Sequence, residues 1–258
     1  MQCITGKEVG RSENIKMNLL TSINTNYFPF AKIFFNSLLR LDDYNKIDKI
    51  YIIDCGLTKD DKATINSLTN KSVFIDGEFK NSNRVTLHSP EWVSAVSEKT
   101  KVFLNLIKKN ITPLLFIDID CYFKENFLHL IDFNSDLVLC QREHTILSPY
   151  SYKLPYIASF FGANNNTQKV FTFMKSWINE MPQIRGLPIE TPALCEILRK
   201  YDFGLKIQCI NTNDVSCHDY NSTKFDLCKI FHLKSDQPMG RFTVQDRIDQ
   251  FENLISIK

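Results

Sequence analysis

Asp118 and Asp120 close the run Leu114-Leu115-Phe116-Ile117-Asp118-Ile119-Asp120, four apolar residues followed by two acids one residue apart. Four consecutive apolar side chains read as a buried strand, so both carboxylates emerge where that strand ends. Two ionised carboxylates held close repel each other, and the pair is costly unless a cation or a proton sits with them. Oxygen donors of this kind suit Mg²⁺ or Mn²⁺, ions that commonly bridge a protein carboxylate to a substrate phosphate. This point on the chain is where chemistry is expected.

The elements around it must place those acids. Residues 17–23 (MNLLTSI) read as a first strand, and 27–41 carries Phe30, Ile33, Phe34, Leu38 and Leu41 at helical spacing. Residues 49–55 form a second strand stopped by Gly56, 59–68 a helix and 72–75 a third strand. After a polar loop over 76–90, a long helix spans 90–109, with Ser89 as its N-cap and Pro90 at its first position. Strand and helix thus alternate three times before the acids. That is the signature of an α/β chain with a mostly parallel sheet and helices on both faces. Beyond the acids, 135–140 and 157–163 read as strands, with 141–156 (two prolines, three tyrosines) as a long loop between them. Helices are expected over 168–181 and 192–201, a strand over 205–210, a polar loop over 211–224, a segment 229–234 and a last helix over 244–255.

Bulk composition narrows the classes. A chain of 258 residues with 43% apolar content and 20 Phe can build one large core. A net charge of +2 gives no reason to expect nucleic acid. The eight cysteines include no Cys-x-x-Cys pair, so zinc-site spacing is absent and a disulfide framework is not expected. Cys55, Cys121 and Cys140 lie in apolar runs and read as buried free thiols, which points to a reducing compartment. Residues 1–16 are polar and unlike a signal peptide, and no run approaches the about 18 apolar residues that a membrane span needs. The expectation is a cytoplasmic protein, with peripheral contact at the inner face of a membrane allowed. Asn-x-Ser/Thr matches at Asn70, Asn110, Asn165 and Asn221 read as chance in an Asn-rich chain.

The element order, the Asp-x-Asp after a long helix, and His232-Leu233-Lys234 near the C-terminus together resemble the GT-A nucleotide-diphospho-sugar glycosyltransferases over residues 17–235. The resemblance implies a single domain over 1–258, with a nucleotide-binding half at about 17–123 and an acceptor-side half at about 124–258. It implies a metal-dependent glycosyltransferase of hexosyltransferase type, using Mn²⁺ or Mg²⁺. Sugar would move from a nucleotide-diphospho-sugar donor to a glycan, lipid-linked or protein acceptor. In that resemblance Ser22, Asn24 and Asn26 would border the base and ribose, and Asp54 would read one of them. Lys101 would face the donor, Asp118 would contact the ribose or a metal-bound water, and Asp118 and Asp120 would hold the metal-diphosphate. His232 would supply a third metal ligand and Lys234 would sit on the diphosphate. Glu190, ahead of a helix, would face the acceptor as general base; an acid there also complements the helix dipole. The segment 231–235 lacks the glycine-rich continuation seen in some branches of the fold.

Blander readings stand beside these. Lys101 shares its helix with Lys99, Lys108 and Lys109, most of which are expected in solvent. His129, His144 and His218 have no supporting context, and Arg84 and His88 read as surface loop residues that could reach the donor. Tyr150, Tyr152 and Tyr156 could offer an acceptor platform or simply pack. Two rival functions use similar parts. A haloacid-dehalogenase-like phosphatase or phosphotransferase also places apolar-Asp-x-Asp on a strand, but normally near the start of the chain and followed by Thr or Val, where this chain has Cys121-Tyr122. A non-catalytic nucleotide-sugar-binding module of the same fold would be expected to lose the acids, and both are present.

Overall fold

Strand β1 (Met17–Ile23) is buried along almost its whole length because it lies inside a sheet with helices on both faces. The computed structural model describes residues 15–78, 90–148, 150–185, 189–218, 222–234 and 243–256. Chain order continues with α1 (Phe28–Leu38), α2 (Asp43–Lys46), β2 (Ile47–Asp54), α3 (Lys59–Leu68) and β3 (Ser72–Asp76). Then follow α4 (Pro90–Lys108), β4 (Leu114–Ile117), β5 (Cys121–Phe123), β6 (Leu137–Leu147) and β7 (Lys153–Ala163). The last elements are α5 (Gln168–Glu180), α6 (Glu190–Lys200), β8 (Ile207–Asn211), α7 (Thr212–Val215), α8 (Ser222–Leu227), β9 (Ile230–His232) and α9 (Val244–Ser256).

Seven strands form one sheet in the order β3-β2-β1-β4-β7-β6-β8, and β5 and β9 form a second, two-stranded sheet. Strands β1, β2, β3 and β4 run parallel, β8 is parallel to β6, and β7 is antiparallel to both its neighbours. The expected mixed, mostly parallel α/β sheet is what the chain builds. One face carries α1 and α3, through Phe34, Phe35 and Ile65; the other carries α4, α5 and α6, through Phe103, Val170 and Ala193. Phe34, Phe35 and Phe103 are fully enclosed, each contributing roughly 1.5–3 kcal/mol of burial free energy.

Two expectations about elements are corrected. Residues 141–156 are not a long loop: β6 and β7 extend through most of them as an antiparallel hairpin, with Ile146 opposite Leu154 and Leu147 opposite Lys153. The prolines misled because Pro155 lies where the pairing of the two strands is irregular, so its missing N–H costs the ladder little. The other miss is β5. Three residues give no periodicity to read, and this strand exists because β9 pairs with it across more than a hundred residues of chain.

That pairing positions the acids. Asp118, Ile119 and Asp120 form the turn by which the chain leaves β4 and enters β5. Asp118 N donates to Ser159 O at 3.1 Å, and Leu233 N donates to Asp120 O at 2.8 Å. Cys121 lies directly opposite His232, so the ladder itself brings the histidine to the acids. Asp43 steadies the far end of β5, its carboxylate accepting from Phe127 N at 2.6 Å and Leu128 N at 2.7 Å.

Candidate functional site

At the C-terminal end of β4, His232 is fully buried and its Nε2 stands 3.0 Å from Asp120 Oδ1 and 3.8 Å from Asp118 Oδ2. Asp120 and His232, with Cys121, are close enough to share one cation, and Asp118 stands beside the same ring nitrogen. The other ring nitrogen, Nδ1, lies 3.1 Å from Ser216 Oγ, which lies 2.8 Å from Ser159 Oγ. A hydroxyl on Nδ1 can accept its proton and leave Nε2 as a lone-pair donor, the usual outer support of a metal-binding histidine. Burial lowers the His232 pKa, against the opposing pull of Asp120, and so favours the neutral imidazole. The residues present fit a divalent cation held by Asp120 and His232, with Asp118 as the further oxygen donor beside His232. Cys121 Sγ also lies near the Asp120 and His232 donors. Burial and the two acids push its thiol well up, so it stays protonated and is the poorer partner for a hard cation.

Positive charge surrounds the acids. Lys99 of α4 is only 5% exposed. Its Nζ lies 3.4 Å from Asp118 Oδ1, 3.9 Å from Glu190 Oε1 and 3.1 Å from the carbonyl of Ala158, above the Phe116 ring. Lys234 follows β9; burial lowers its pKa, while Asp118 and Asp120 pull the other way. Arg247 of α9 pairs through Nη2 with Asp120 Oδ2 and donates from Nε to Leu233 O. Its guanidinium lies 4.5 Å from the Phe30 ring centre, a contact that fixes the helix against α1. Burial would raise the Asp120 pKa, but His232 and Arg247 hold it far below the usual carboxylate range.

The other sequence candidates fall into three groups. Ser22 lies near the C-terminal end of β1, two residues past the point where Leu20 pairs with Phe116 of β4. Glu190 opens α6 and turns inward, with Oε2 enclosed and lacking a hydrogen-bond partner among the described residues. Asn24 caps the turn after β1, accepting from Tyr27 N at 3.1 Å, and Asn26 lies in that same turn. Asp54 is buried at the end of β2, where Oδ1 accepts from Gly56 N at 2.9 Å and Leu57 N at 2.7 Å, and Oδ2 pairs with Lys62 at 2.5 Å, so it closes the turn after that strand. Lys101 lies on the exposed side of α4, its side chain 48% exposed and its Nζ 4.0 Å from the exposed Glu78. Arg84, His88 and Ser89 lie outside the described residues.

Lys99 carried a readable signal that the sequence analysis passed over. Residues 99, 103, 106 and 107 share one helical face, and Phe103, Leu106 and Ile107 are buried with it. Arg247 carried none, because nothing local ties a residue in the last helix to Asp120. Among the cysteines, Cys55, Cys121, Cys140, Cys195, Cys217 and Cys228 are buried free thiols, as expected for three of them. Cys209, which is disulfide-bonded, is the exception among the described cysteines.

Residues 61–238, more than half of the chain, match the family model for nucleotide-diphospho-sugar transferases. The chain belongs to that family. Its fold is that of GT-A glycosyltransferases. The galactosyltransferase LgtC, solved with donor and acceptor sugar analogues, superposes with a TM-score of 0.56 at 12% identity, over 93% of this chain and 96% of its own. A glycosyltransferase that glycosylates the major capsid of PBCV-1 gives 0.56 at 9% identity, over 92% and 99%. Mouse xyloside xylosyltransferase 1 gives 0.55 at 12%, over 87% and 99%. No curated protein sequence matches the chain. No helix among the described residues is long and apolar enough to cross a membrane.

Proposed function

We propose that this transferase moves a hexosyl group from a nucleotide-diphospho-sugar to a carbohydrate or glycoconjugate acceptor, with Mn²⁺ or Mg²⁺ held by Asp118, Asp120 and His232. The observation that carries this is His232 Nε2 standing 3.0 Å from Asp120 and 3.8 Å from Asp118 past the end of β4, with the ring supported from behind by Ser216 and Ser159. The metal, when bound, offsets charge on the diphosphate as the glycosidic bond breaks.

The side chains do the rest. Lys234 faces the same acids and contributes a second positive charge toward the leaving diphosphate. Lys99, anchored by the Ala158 carbonyl, holds Asp118 and Glu190 in place and keeps a cation at the inner wall of the site. Ser22, near the C-terminal end of β1, borders the nucleotide, and Asn24 and Asn26 shape the turn beside it. Glu190 keeps one enclosed carboxylate oxygen without a hydrogen-bond partner among the described residues, and it is the group assigned here to taking the proton of an attacking hydroxyl. The acceptor lies against the β6–β7 hairpin and the start of α6. A phosphatase reading is disfavoured because the family is one of sugar transfer.

A thermal-shift panel of nucleoside diphosphates and their sugars, with and without Mn²⁺, tests the proposal. One base is expected to raise Tm in the presence of Mn²⁺, since a ligand that binds only the folded protein stabilises it by RT ln(1 + [L]/Kd). No shift with any nucleoside diphosphate would sink the reading.

A further inference from the structure

Arg142 sits on β6 just past Gln141, at a place where the hairpin is irregular. Gln141 lies opposite Tyr156 and Ile146 opposite Leu154, so β6 carries residues 142–145 against Pro155 alone. Bulges of this kind re-aim side chains and are frequent beside active sites. The Arg142 Nε is enclosed and finds no hydrogen-bond partner among the described residues. Its neighbour Glu143 is engaged elsewhere, accepting from Asn213 Nδ2 at 3.0 Å.

The charges at the site do not absorb this arginine. Lys99 is matched by Asp118 and Glu190, and Arg247 by Asp120. Lys234 faces the two acids, and a diphosphate together with a divalent cation would occupy it. Leu137 of β6 and Leu114 of β4 both pair with Ala163 of β7, so β6 runs parallel to β4 and Arg142 lies toward the same edge of the sheet as Asp118. Burial presses its own pKa down, and the groups opposing that are the thiols of Cys140 and Cys195 rather than a carboxylate. A partly enclosed guanidinium that faces no acid among the described residues is costly. It becomes favourable once an anion arrives, because its planar fork matches a phosphate or carboxylate through two parallel hydrogen bonds.

We propose that Arg142 binds a phosphate or carboxylate carried by one of the two reacting sugars, so that the substrate pair includes an acidic sugar. This rests on the transferase reading and names the substrate class of the same site. The donor and the acceptor are both possible carriers of the anion, and the experiment separates them.

Calorimetric titration of the full chain and of Arg142→Gln supplies the test. With Mn²⁺ present, glucose 6-phosphate and glucuronate are compared with glucose, and UDP-glucuronate with UDP-glucose. Wild type is expected to favour the acidic member of at least one pair by about tenfold or more. A preference among free sugars puts the anion on the acceptor, and one among UDP-sugars puts it on the donor. Arg142→Gln is expected to erase the preference while binding nucleoside diphosphate within about twofold of wild type. Equal affinity within every pair overturns the proposal, and so does a preference that Arg142→Gln retains. A tenfold loss of nucleoside diphosphate affinity in Arg142→Gln also overturns it, by making the arginine a diphosphate ligand. If wild type binds no nucleoside diphosphate yet shows an Arg142-dependent preference for acidic sugars, the transferase reading fails and this one stands.

Discussion

Replacing Asp120 by asparagine is expected to lower sugar transfer by roughly a thousandfold, the several kcal/mol a Lewis-acid contact supplies to developing charge. The same change should lower stability by about 3 kcal/mol, because Arg247 and His232 are left in an enclosed place without a full negative partner. A conserved Tm in Asp120→Asn would contradict this reading of the Arg247 pair. Asp118→Asn separates the two effects. Asp118 is more exposed than Asp120 and has no arginine partner among the described ion pairs, so its loss should remove transfer with little change in melting. Steady-state kinetics with thermal melts on both variants would check this. The pH dependence follows from the sign of the shift. The Asp120 pKa is depressed in the folded protein, so its contribution is complete above about pH 4, the unfolded value, and fades as pH falls below that. Acid unfolding should therefore be shallower in Asp120→Asn than in wild type.

Lys99→Met should lower kcat/KM by about a hundredfold, while Lys101→Met should stay within about twofold of wild type. Two lysines one helical step apart are thus expected to differ widely, and the reason is geometric. Lys99 points into the protein against Asp118, Glu190 and the Ala158 carbonyl, whereas Lys101 points to solvent. Methionine keeps much of the buried stem, so the cost in stability is that of leaving buried acceptors unpaired, about 1–3 kcal/mol. Equal activity of both variants would mean that Lys99 supports packing and takes no part in transfer.

These residues also show how much of the molecule could be read before the fold was known. Strands β1 to β4 and helices α3 and α4 carry strong local patterns, apolar runs and 3.6-residue spacing with clear ends, and the structure places them within two residues of where the pattern does. The position of Asp118 and Asp120 at the end of a buried strand was legible from the apolar run before them. The rest depends on long-range pairing. Strand β5 is held by β9, and Arg247 reaches Asp120 only because α9 packs on α1 through Ile248, Phe251 and Leu254. The contacts of Asp54 were not legible, because an acid ending a strand looks the same whether it faces a ligand or closes its own turn. Here Gly56, Leu57 and Lys62 take it. Lys99 was passed over among lysines of α4 expected mostly in solvent, although its spacing from Phe103 and Ile107 put it on the buried face.

The central claim is that Asp118, Asp120 and His232 form a divalent-metal site through which the donor diphosphate is bound. Calorimetric titration of the nucleoside diphosphate selected by the thermal panel, once in excess Mn²⁺ and once in EDTA, measures it directly. Wild type should bind at least about tenfold more tightly with the metal, and Asp118→Asn should bring the two affinities together. Equal affinity with and without Mn²⁺ in wild type would contradict the account.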